Sequence, residues 1–404
     1  MKRYGLLGRR LEHSYSPEIH RSFGAYSYEL FEKEPDEVVP FLKEADFDGI
    51  NVTVPYKKAV LPYLDRLTDR AEEIGSVNTI VKLPDGRLAG DNTDLYGFAF
   101  LLEHTQIPVA GKKALVLGSG GASAAVRKVL TDKGADVFII SRTGENRYSD
   151  LGAHTDARLI VNATPVGMYP ENFHAPLSLE GIPELAGVID LIYNPVRTML
   201  LQDAENRGIP SFNGMLMLAA QAAGSLYAFS GQVVSPEIIL RTAEEIEKKK
   251  RNIVLVGMPG SGKSVIGRAL AALLGREFAD TDEETEKKTN RTPEEMIRQD
   301  GEEAFRKIET EVLSECAVRS GLVIATGGGA VTRPENYPIL HGNGKIIWIK
   351  RELSELDRSG RPLSEEDLEA LYRKRRPLYE RFADTVVVNQ GTPEEAAMQI
   401  CKEL

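Results

Sequence analysis

The stretch from Asn252 to Ser264, NIVLVGMPGSGKS, constrains this chain more than any other, because an apolar run there closes on a glycine loop ending in Lys-Ser. Gly257, Gly262, Lys263 and Ser264 have the spacing G-x-x-x-x-G-K-[ST], and VIGRALAALLG after them supplies an amphipathic helix. Strand, loop and helix in that order predict a P-loop. Its glycines are needed because backbone N–H groups must turn inward onto phosphate oxygens, which a Cβ would obstruct. Lys263 then reaches the β- and γ-phosphates and Ser264 holds Mg²⁺. Without its flanking strand and helix the same run would read as a ligand-free turn. A strand of this kind opens a domain, so residues 1–251 must form something else.

A length of 404 residues calls for two or three domains. With 42% hydrophobic and 27% charged residues the composition is that of an ordinary soluble globular protein. A formal net charge of −10 argues against a general nucleic-acid or membrane-surface binder, and the cluster Arg373–Arg376 is the local exception. Cys316 and Cys401 are the only cysteines, which excludes a disulfide framework and a cysteine zinc site and makes a reducing cytoplasm the expected location. Charges break MKRYGLLGRRLEH too early for a signal peptide, and no run reaches the roughly 18 apolar residues of a membrane span.

Near the start, HSYSPEIH places Ser16 before Pro17, which reads as a helix N-cap with proline at the first helical position. His13 and His20 suggest a metal, but no third ligand at metal spacing accompanies them. In FDGINVTVPYK, apolar Ile50, Val52 and Val54 alternate with Asn51 and Thr53 until Pro55 stops the strand. GSVNTIV and AGDNTDLYGF repeat the theme, as short strands ending in Asn78 and in Asn92, Thr93 and Asp94. Three strand ends with amides, hydroxyls, Lys57 and one carboxylate make a site for a polyhydroxylated ligand; taken singly, each is an ordinary polar strand face.

The set HSYSP, NVTVPYK, SVNT and DNTD, in this order over most of residues 1–105, resembles shikimate dehydrogenase. The resemblance implies that Ser14, Ser16, Asn51, Thr53, Asn78 and Asp94 bind the substrate's carboxylate and hydroxyls, and that Lys57 and Asp94 form the catalytic pair. The chemistry is coherent: reducing a ketone needs a proton donor at oxygen while hydride arrives at carbon.

From Gly111 the chain reads strand, glycine turn, helix, strand, in GKKALVLGSGGASAAVRKVLTDKGADVFIISRT, the opening of a dinucleotide-binding unit. Gly118 and Gly120 occupy the first two fingerprint positions and Ser123 replaces the third glycine; Gly121 and Ala122 complete the cofactor turn. At the end of the second strand stand Ser141, Arg142 and Thr143 rather than an acidic residue, which favours NADP over NAD, with Glu145 close by. The family shows Asn-Arg-Thr there. Met168 and Tyr193 match family motifs and read equally well as core. In the helix FNGMLMLAAQAAGSLYAF the resemblance gives Gln221 to substrate and Met215 to the nicotinamide. SPEIILRTAEEIEKKKR, capped by Ser235, reads as a final helix running into a short junction.

After the P-loop, REFADTD reads as a strand ending in Asp280, Thr281 and Asp282, and Thr292, Pro293 and Glu295 as a capping box. Arg306 and Glu309 are spaced to meet on one helix face. GLVIATGGGAV is a second buried strand, closed by Gly327, Gly328 and Gly329. Together GMPGSGKS, DTD, AFRKIE, TGGGAV, RPL and RRPLY resemble shikimate kinase over residues 252–404. The resemblance gives Asp282, Arg306, Gly328, Gly329 and Arg375 to shikimate, with both arginines on its carboxylate. It gives Gly260, Ser261, Gly262, Lys263 and Ser264 to nucleotide phosphates, Ser264 and Asp280 to Mg²⁺, and Arg361 to a lid, while Lys263 and Asp282 carry the chemistry. KRELSELDRSG, before Arg361, is shorter than the family's usual approach to its lid, and no second lid arginine is assigned between Arg351 and Arg358.

The expected fold is α/β: an N-terminal substrate domain (1–105 and 213–245), an inserted Rossmann-like NADP-binding domain (106–212), and a P-loop kinase α/β/α domain with a parallel sheet (251–404). The expected function is reduction of 3-dehydroshikimate with NADPH, then phosphorylation of shikimate with ATP and Mg²⁺. Two alternatives stay open: an NAD-dependent quinate-type dehydrogenase in the first half, and a nucleotide-sensing module without turnover in the second.

Overall fold

The computed structural model describes residues 2–12, 14–24, 26–356 and 365–404. Contacts divide the chain into two compact units, Met1–Tyr193 with Leu200–Glu247, and Asn194–Met199 with Lys248–Leu404.

The first unit opens with β1 (Arg3–Gly8), α1 (Ser16–Phe23), β2 (Ser27–Glu32), α2 (Val38–Glu44), β3 (Gly49–Val52), β4 (Arg66–Leu67), α3 (Asp69–Ile74), β5 (Thr79–Lys82), β6 (Leu88–Asp91) and α4 (Asp94–Thr105). They build a sheet in the order β2-β1-β3-β5-β6-β4. Ser16 is not the cap that its sequence context predicts: Tyr15 already has helical backbone angles, so Ser16 lies inside the first turn. The strand read through Val54 stops at Val52, because the Thr53 carbonyl accepts the Tyr56 N–H and starts a turn that leaves Val54 exposed. Asn78 precedes its strand rather than ending it. β5 runs antiparallel to both β3 and β6, pairing Thr79 with Asn51 and with Asp91, so its start lies where its neighbours finish. The three polar segments therefore do share one edge of the sheet.

The chain continues through β7 (Lys113–Leu117), α5 (Gly121–Asp132), β8 (Asp136–Ile140), β9 (Leu159–Asn162), β10 (Gly187–Asp190), α6 (Met199–Asn206), β11 (Ser211–Phe212), α7 (Met215–Ser230) and α8 (Pro236–Lys250). Its second sheet, β11-β10-β9-β7-β8, is parallel in every pairing. Continuous apolar runs such as ALVL and LIV suit strands covered on both faces. Helix α7 returns to the first sheet and packs on α4, α1 and β5. Gly97 on α4 permits this approach, since a Cβ there would stand 2.7 Å from the Met217 carbonyl.

In the second unit come β12 (Asn252–Val256), α9 (Lys263–Leu274), β13 (Phe278–Asp280), α10 (Thr281–Thr289), α11 (Pro293–Asp300), α12 (Glu302–Ala317), β14 (Val323–Ala325), α13 (Asn336–Asn343), β15 (Gly344–Lys350), α14 (Glu365–Phe382), β16 (Thr385–Val388) and α15 (Pro393–Glu403). The parallel sheet runs β13-β14-β12-β15-β16. Alternate residues of β12 and β15 feed two apolar clusters, Val254, Ile346 and Trp348 with α12–α14, and Ile253, Leu255 and Ile347 with α9 and α15. That alternation makes a three-layer α/β/α unit. Thr292 and Glu295 form the expected capping box on α11. Asp282, expected at the end of a strand, lies instead in the first turn of α10, and Asp280 caps that helix by accepting the Asp282 N–H at 3.0 Å.

Candidate active sites

In the first unit the turn after β3 delivers Lys57, whose Nζ donates to Asp94 Oδ2 at 2.6 Å. Asn78 Nδ2 donates to the other oxygen, Asp94 Oδ1, at 2.8 Å. The orientation of the Asn78 amide is not ambiguous, because its Oδ1 accepts the Thr93 backbone N–H at 2.8 Å. Asn92 secures the same turn through the Asp94 N–H and the Ser76 carbonyl. Both carboxylate oxygens of Asp94 are thus held before any ligand arrives.

Asn51 is buried beside this pair. Its Oδ1 accepts the Tyr28 hydroxyl at 2.8 Å, and Tyr28 also meets Ser16. Ser14 Oγ accepts the Ser16 N–H, Thr53 stands half-buried at the same sheet edge, and Gln221 reaches Asn78 at 3.4 Å from α7. His13 lies outside the described residues. His20 stacks on Tyr28 with centroids 3.9 Å apart and shares a 2.7 Å hydrogen bond with Tyr26. Burial pushes its imidazole down from 6.5 to about 3, against a smaller opposing effect of Asn51. The unfolded chain takes up this proton below about 6.5 and the folded chain only near 3, so the stability is full above that window and is lost as pH falls through it. Thermal melting of the full chain between about pH 7 and about pH 5 should show this acid-side decline, and His20→Phe, which keeps a ring on Tyr28, should make it shallower. An unchanged pH slope in the variant would exclude His20 as the cause.

The second sheet of this unit presents the glycine turn. Gly118 has φ 104°, a conformation that favours glycine, and a Cβ at Gly120 would meet nothing within 4 Å. Gly121 and Ala122 open α5, and a Cβ on Gly121 would lie 3.3 Å from Ser76 Oγ, close to the substrate-side turn. Ser123, in place of the third glycine, is buried and donates to the Gly118 carbonyl at 2.6 Å. Ser141 is the residue that the sequence reading assigns to the cofactor beside Arg142 and Thr143. It is buried and its Oγ accepts the Gly144 N–H at 2.9 Å, leaving Arg142 and Thr143 exposed. Met215 is buried at the first turn of α7. Met168 is not core, being 48% exposed, whereas Tyr193 packs its ring 5.2 Å from that of Tyr15.

In the second unit Gly257, Gly260 and Gly262 have φ of 151°, 78° and 94°, so the loop between β12 and α9 requires them. Ser261 is buried within it. Lys263 is buried too, its Nζ donating at 2.9 Å to both the Gly257 and Met258 carbonyls. Ser264 Oγ donates to Asp280 Oδ2 at 2.6 Å. On the glycine run after β14, a Cβ at Gly327 would stand 2.5 Å from Glu309 Oε1 and 2.8 Å from Asp282 Oδ1, and one at Gly329 would collide with the Arg306 guanidinium. Arg306 pairs with Glu309 at 2.7 Å and with Glu302 at 3.0 Å. Burial raises the Glu309 carboxyl above its usual range, against the pull of Arg306. From α14, Arg375 Nη1 and the Tyr379 hydroxyl both donate to the Gly328 carbonyl, at 3.2 and 2.6 Å. Arg373 and Arg376 instead pair with Glu369 and Glu380 along the exposed helix surface. Arg361 and Arg358 lie outside the described residues.

Residues 259–404 match the family model for shikimate kinase, and residues 6–80 that for the shikimate dehydrogenase substrate binding domain. A shikimate dehydrogenase (NADP(+)) of Caldanaerobacter subterraneus subsp. tengcongensis is 35% identical over 267 residues, covering 59% of this chain and 95% of the relative. The chain belongs to the shikimate dehydrogenase family. It also carries a shikimate kinase domain, which makes it a bifunctional shikimate-pathway enzyme. A shikimate 5-dehydrogenase structure from Thermus thermophilus, in complex with NADP(H) and shikimate, aligns with TM-score 0.56 at 35% identity, over 61% of this chain and 99% of that one. A chorismate mutase/shikimate 5-dehydrogenase fusion from Clostridium acetobutylicum aligns with TM-score 0.58 at 32% identity, over 62% and 98%.

In this dehydrogenase–kinase, Lys57, Asn78, Asp94 and Gln221 come together in the first unit, and Asp282, Arg306 and Arg375 around the glycine run of the second. Tyr28, Thr79 and Ser225 escaped sequence reading, although Ser225 follows Gln221 by one helical turn and so shares its face. The donor sets fit their ligands. Gly120 leaves open space at the start of α5, a helix N-terminus suited to a pyrophosphate. Ser264 and Asp280 offer the hard oxygen donors that Mg²⁺ prefers. Among the described residues no cluster of three or more His, Cys, Asp and Glu side chains is arranged to hold a metal, and no helix is long and apolar enough to cross a membrane.

Proposed function

We propose that residues 1–105 and 213–245, with the inserted 106–212, reduce the C3 ketone of 3-dehydroshikimate to shikimate, and that residues 251–404 phosphorylate that same C3 hydroxyl. The observation that carries this reading is the preformed Lys57–Asp94 pair set among Asn51, Asn78 and Gln221. The kinase half is supported by the placing of Asp282, Arg306 and Arg375 around one glycine run.

Gly118, Gly120, Gly121 and Ala122 would hold NADPH, with Arg142 and Thr143 toward its 2′-phosphate and Met215 toward its nicotinamide, and the bound cofactor would supply the hydride. Lys57 gives its proton to the C3 oxygen, and Asp94 holds the ammonium aimed. Ser14, Ser16, Asn51, Thr53, Asn78 and Gln221 hold the carboxylate and hydroxyls. In the kinase domain Ser264 and Asp280 would hold Mg²⁺, which would offset phosphate charge, and Gly260, Ser261 and Gly262 would hold the phosphates of ATP. Lys263 exchanges its two loop carbonyls for phosphate oxygens. Asp282 orients the C3 hydroxyl and receives its proton, while Arg306 and Arg375 grip the carboxylate against the backbone of Gly328 and Gly329. Arg361, outside the described residues, is assigned to the phosphates by the resemblance alone. The substrates are small molecules, with no part for nucleic acid or membrane, and the enzyme works in the cytoplasm.

Incubating the protein with 3-dehydroshikimate, NADPH, ATP and Mg²⁺ should yield shikimate 3-phosphate by mass spectrometry. Shikimate accumulating without phosphate transfer, with ATP bound but not consumed, would favour a sensing module. Faster turnover of quinate with NAD than of shikimate with NADP would favour a quinate-type first half.

A further inference from the structure

Ser225 is fully buried on α7, and its hydroxyl lies where four polar groups meet. Asn51 Nδ2 stands 2.7 Å away, the Thr79 and Thr93 hydroxyls 2.9 and 3.0 Å, and the Gln221 carbonyl, one turn earlier, 3.0 Å. A hydroxyl has one proton and two lone pairs. Asn51 must be a donor here, because the same nitrogen also faces the Asn78 backbone carbonyl at 3.2 Å, a group that only accepts. One Ser225 lone pair is therefore committed to Asn51. The second is filled by a threonine hydroxyl, and the proton goes to the Gln221 carbonyl or the other threonine. The threonine that does not donate to Ser225 keeps its proton for Asn78 Oδ1, which lies 3.0 Å from Thr79 and 3.2 Å from Thr93. Asn78 completes the chain by donating to Asp94 at 2.8 Å.

Helix formation alone gives no reason for a serine at this place. The stretch Ala219–Ala223 shows what the helix prefers there, and alanine is the better helix former. We propose that Ser225 is a positioning residue of the dehydrogenase site, holding Asn51 directly, and Asn78 through the threonine hydroxyls between them, in the orientations that receive the substrate's hydroxyls. This rests on the reading that those two amides bind substrate. A serine that merely pinned α7 to the sheet would change the melting temperature and leave substrate affinity alone.

The test uses the full chain, oxidising shikimate with NADP⁺ and following NADPH absorbance, with Ser225→Ala, Ser225→Cys and Ser225→Thr. Losing this 2.7 Å acceptor leaves Asn51 Nδ2 only its longer contacts with the Asn78 carbonyl and the Thr79 hydroxyl, at 3.2 and 3.3 Å, so Ser225→Ala should raise KM for shikimate about tenfold with KM for NADP⁺ unchanged. Cysteine fills the position with a weak acceptor and should raise KM similarly, while threonine restores it to within about twofold of wild type. Should the alanine variant not fold, the cysteine–threonine comparison decides. A folded Ser225→Ala or Ser225→Cys with wild-type KM for shikimate, or an equal rise in both KM values, overturns the inference alone. A wild-type chain that does not oxidise shikimate overturns the functional reading, and the inference with it.

Discussion

Lys57→Ala should lower kcat for shikimate oxidation by about 10³-fold, within the range that a positioned proton donor contributes, while shikimate-dependent ADP formation by the same preparation stays unchanged. The size of the effect follows from the geometry. Lys57 is the ammonium placed on Asp94, whose remaining oxygen is already held by Asn78, and alanine leaves no proton source in its place. Removing it also leaves the buried Asp94 carboxylate without its cation, so part of the loss will appear as a raised KM. Lys57→Arg keeps the charge but spreads it over a planar fork that does not give up its proton, and should recover binding more than turnover. The kinase readout serves as an internal control for folding. If kinase activity falls in parallel while the melting profile is unaltered, the two sites are not independent and the proposed division of labour is wrong.

The reciprocal substitution, Lys263→Ala, should lower ADP formation by about 10²- to 10³-fold, the scale of losing one preorganised electrostatic group at a transferring phosphoryl, with shikimate oxidation untouched. Lys263 bridges the Gly257 and Met258 carbonyls, so it shapes the loop as well as facing the nucleotide. Its loss should therefore raise KM for ATP as well as lower kcat, leaving KM for shikimate nearly constant. Wild-type ATP turnover in Lys263→Ala would rule out the phosphate role assigned to this loop. A rise confined to KM for shikimate would place Lys263 in the acceptor site instead.

Much of both sites was legible in the sequence, for reasons that differ residue by residue. The P-loop could be read because its glycines, lysine and serine are contiguous and flanked by their own strand and helix. Arg306 and Glu309 could be paired because three residues on a helix bring side chains together whatever the rest of the chain does. The Thr292–Glu295 capping box is equally local. Where local pattern was ambiguous, tertiary packing overruled it. Ser16 lost its cap role because helical angles begin at Tyr15; Ser141 turned inward to hold Gly144; Met168 stayed outside the core.

By itself, then, the sequence determined the two glycine loops, the order of the α/β units, and the polar residues proposed as ligand contacts, since each of these is written in neighbouring residues. Only the tertiary structure decided how those residues meet. Asn78 reaches the Lys57–Asp94 pair because β5 runs against its neighbours, a direction that no local pattern encodes. Asp282 and Glu309 close on Gly327, and Arg375 and Tyr379 on Gly328, from helices far apart in the chain. Ser225 reaches Asn51 across 174 residues, through a helix–sheet contact whose register is set by core packing. Such hydrogen bonds depend on strand direction and helix rotation together, and those are settled only when the whole hydrophobic core closes.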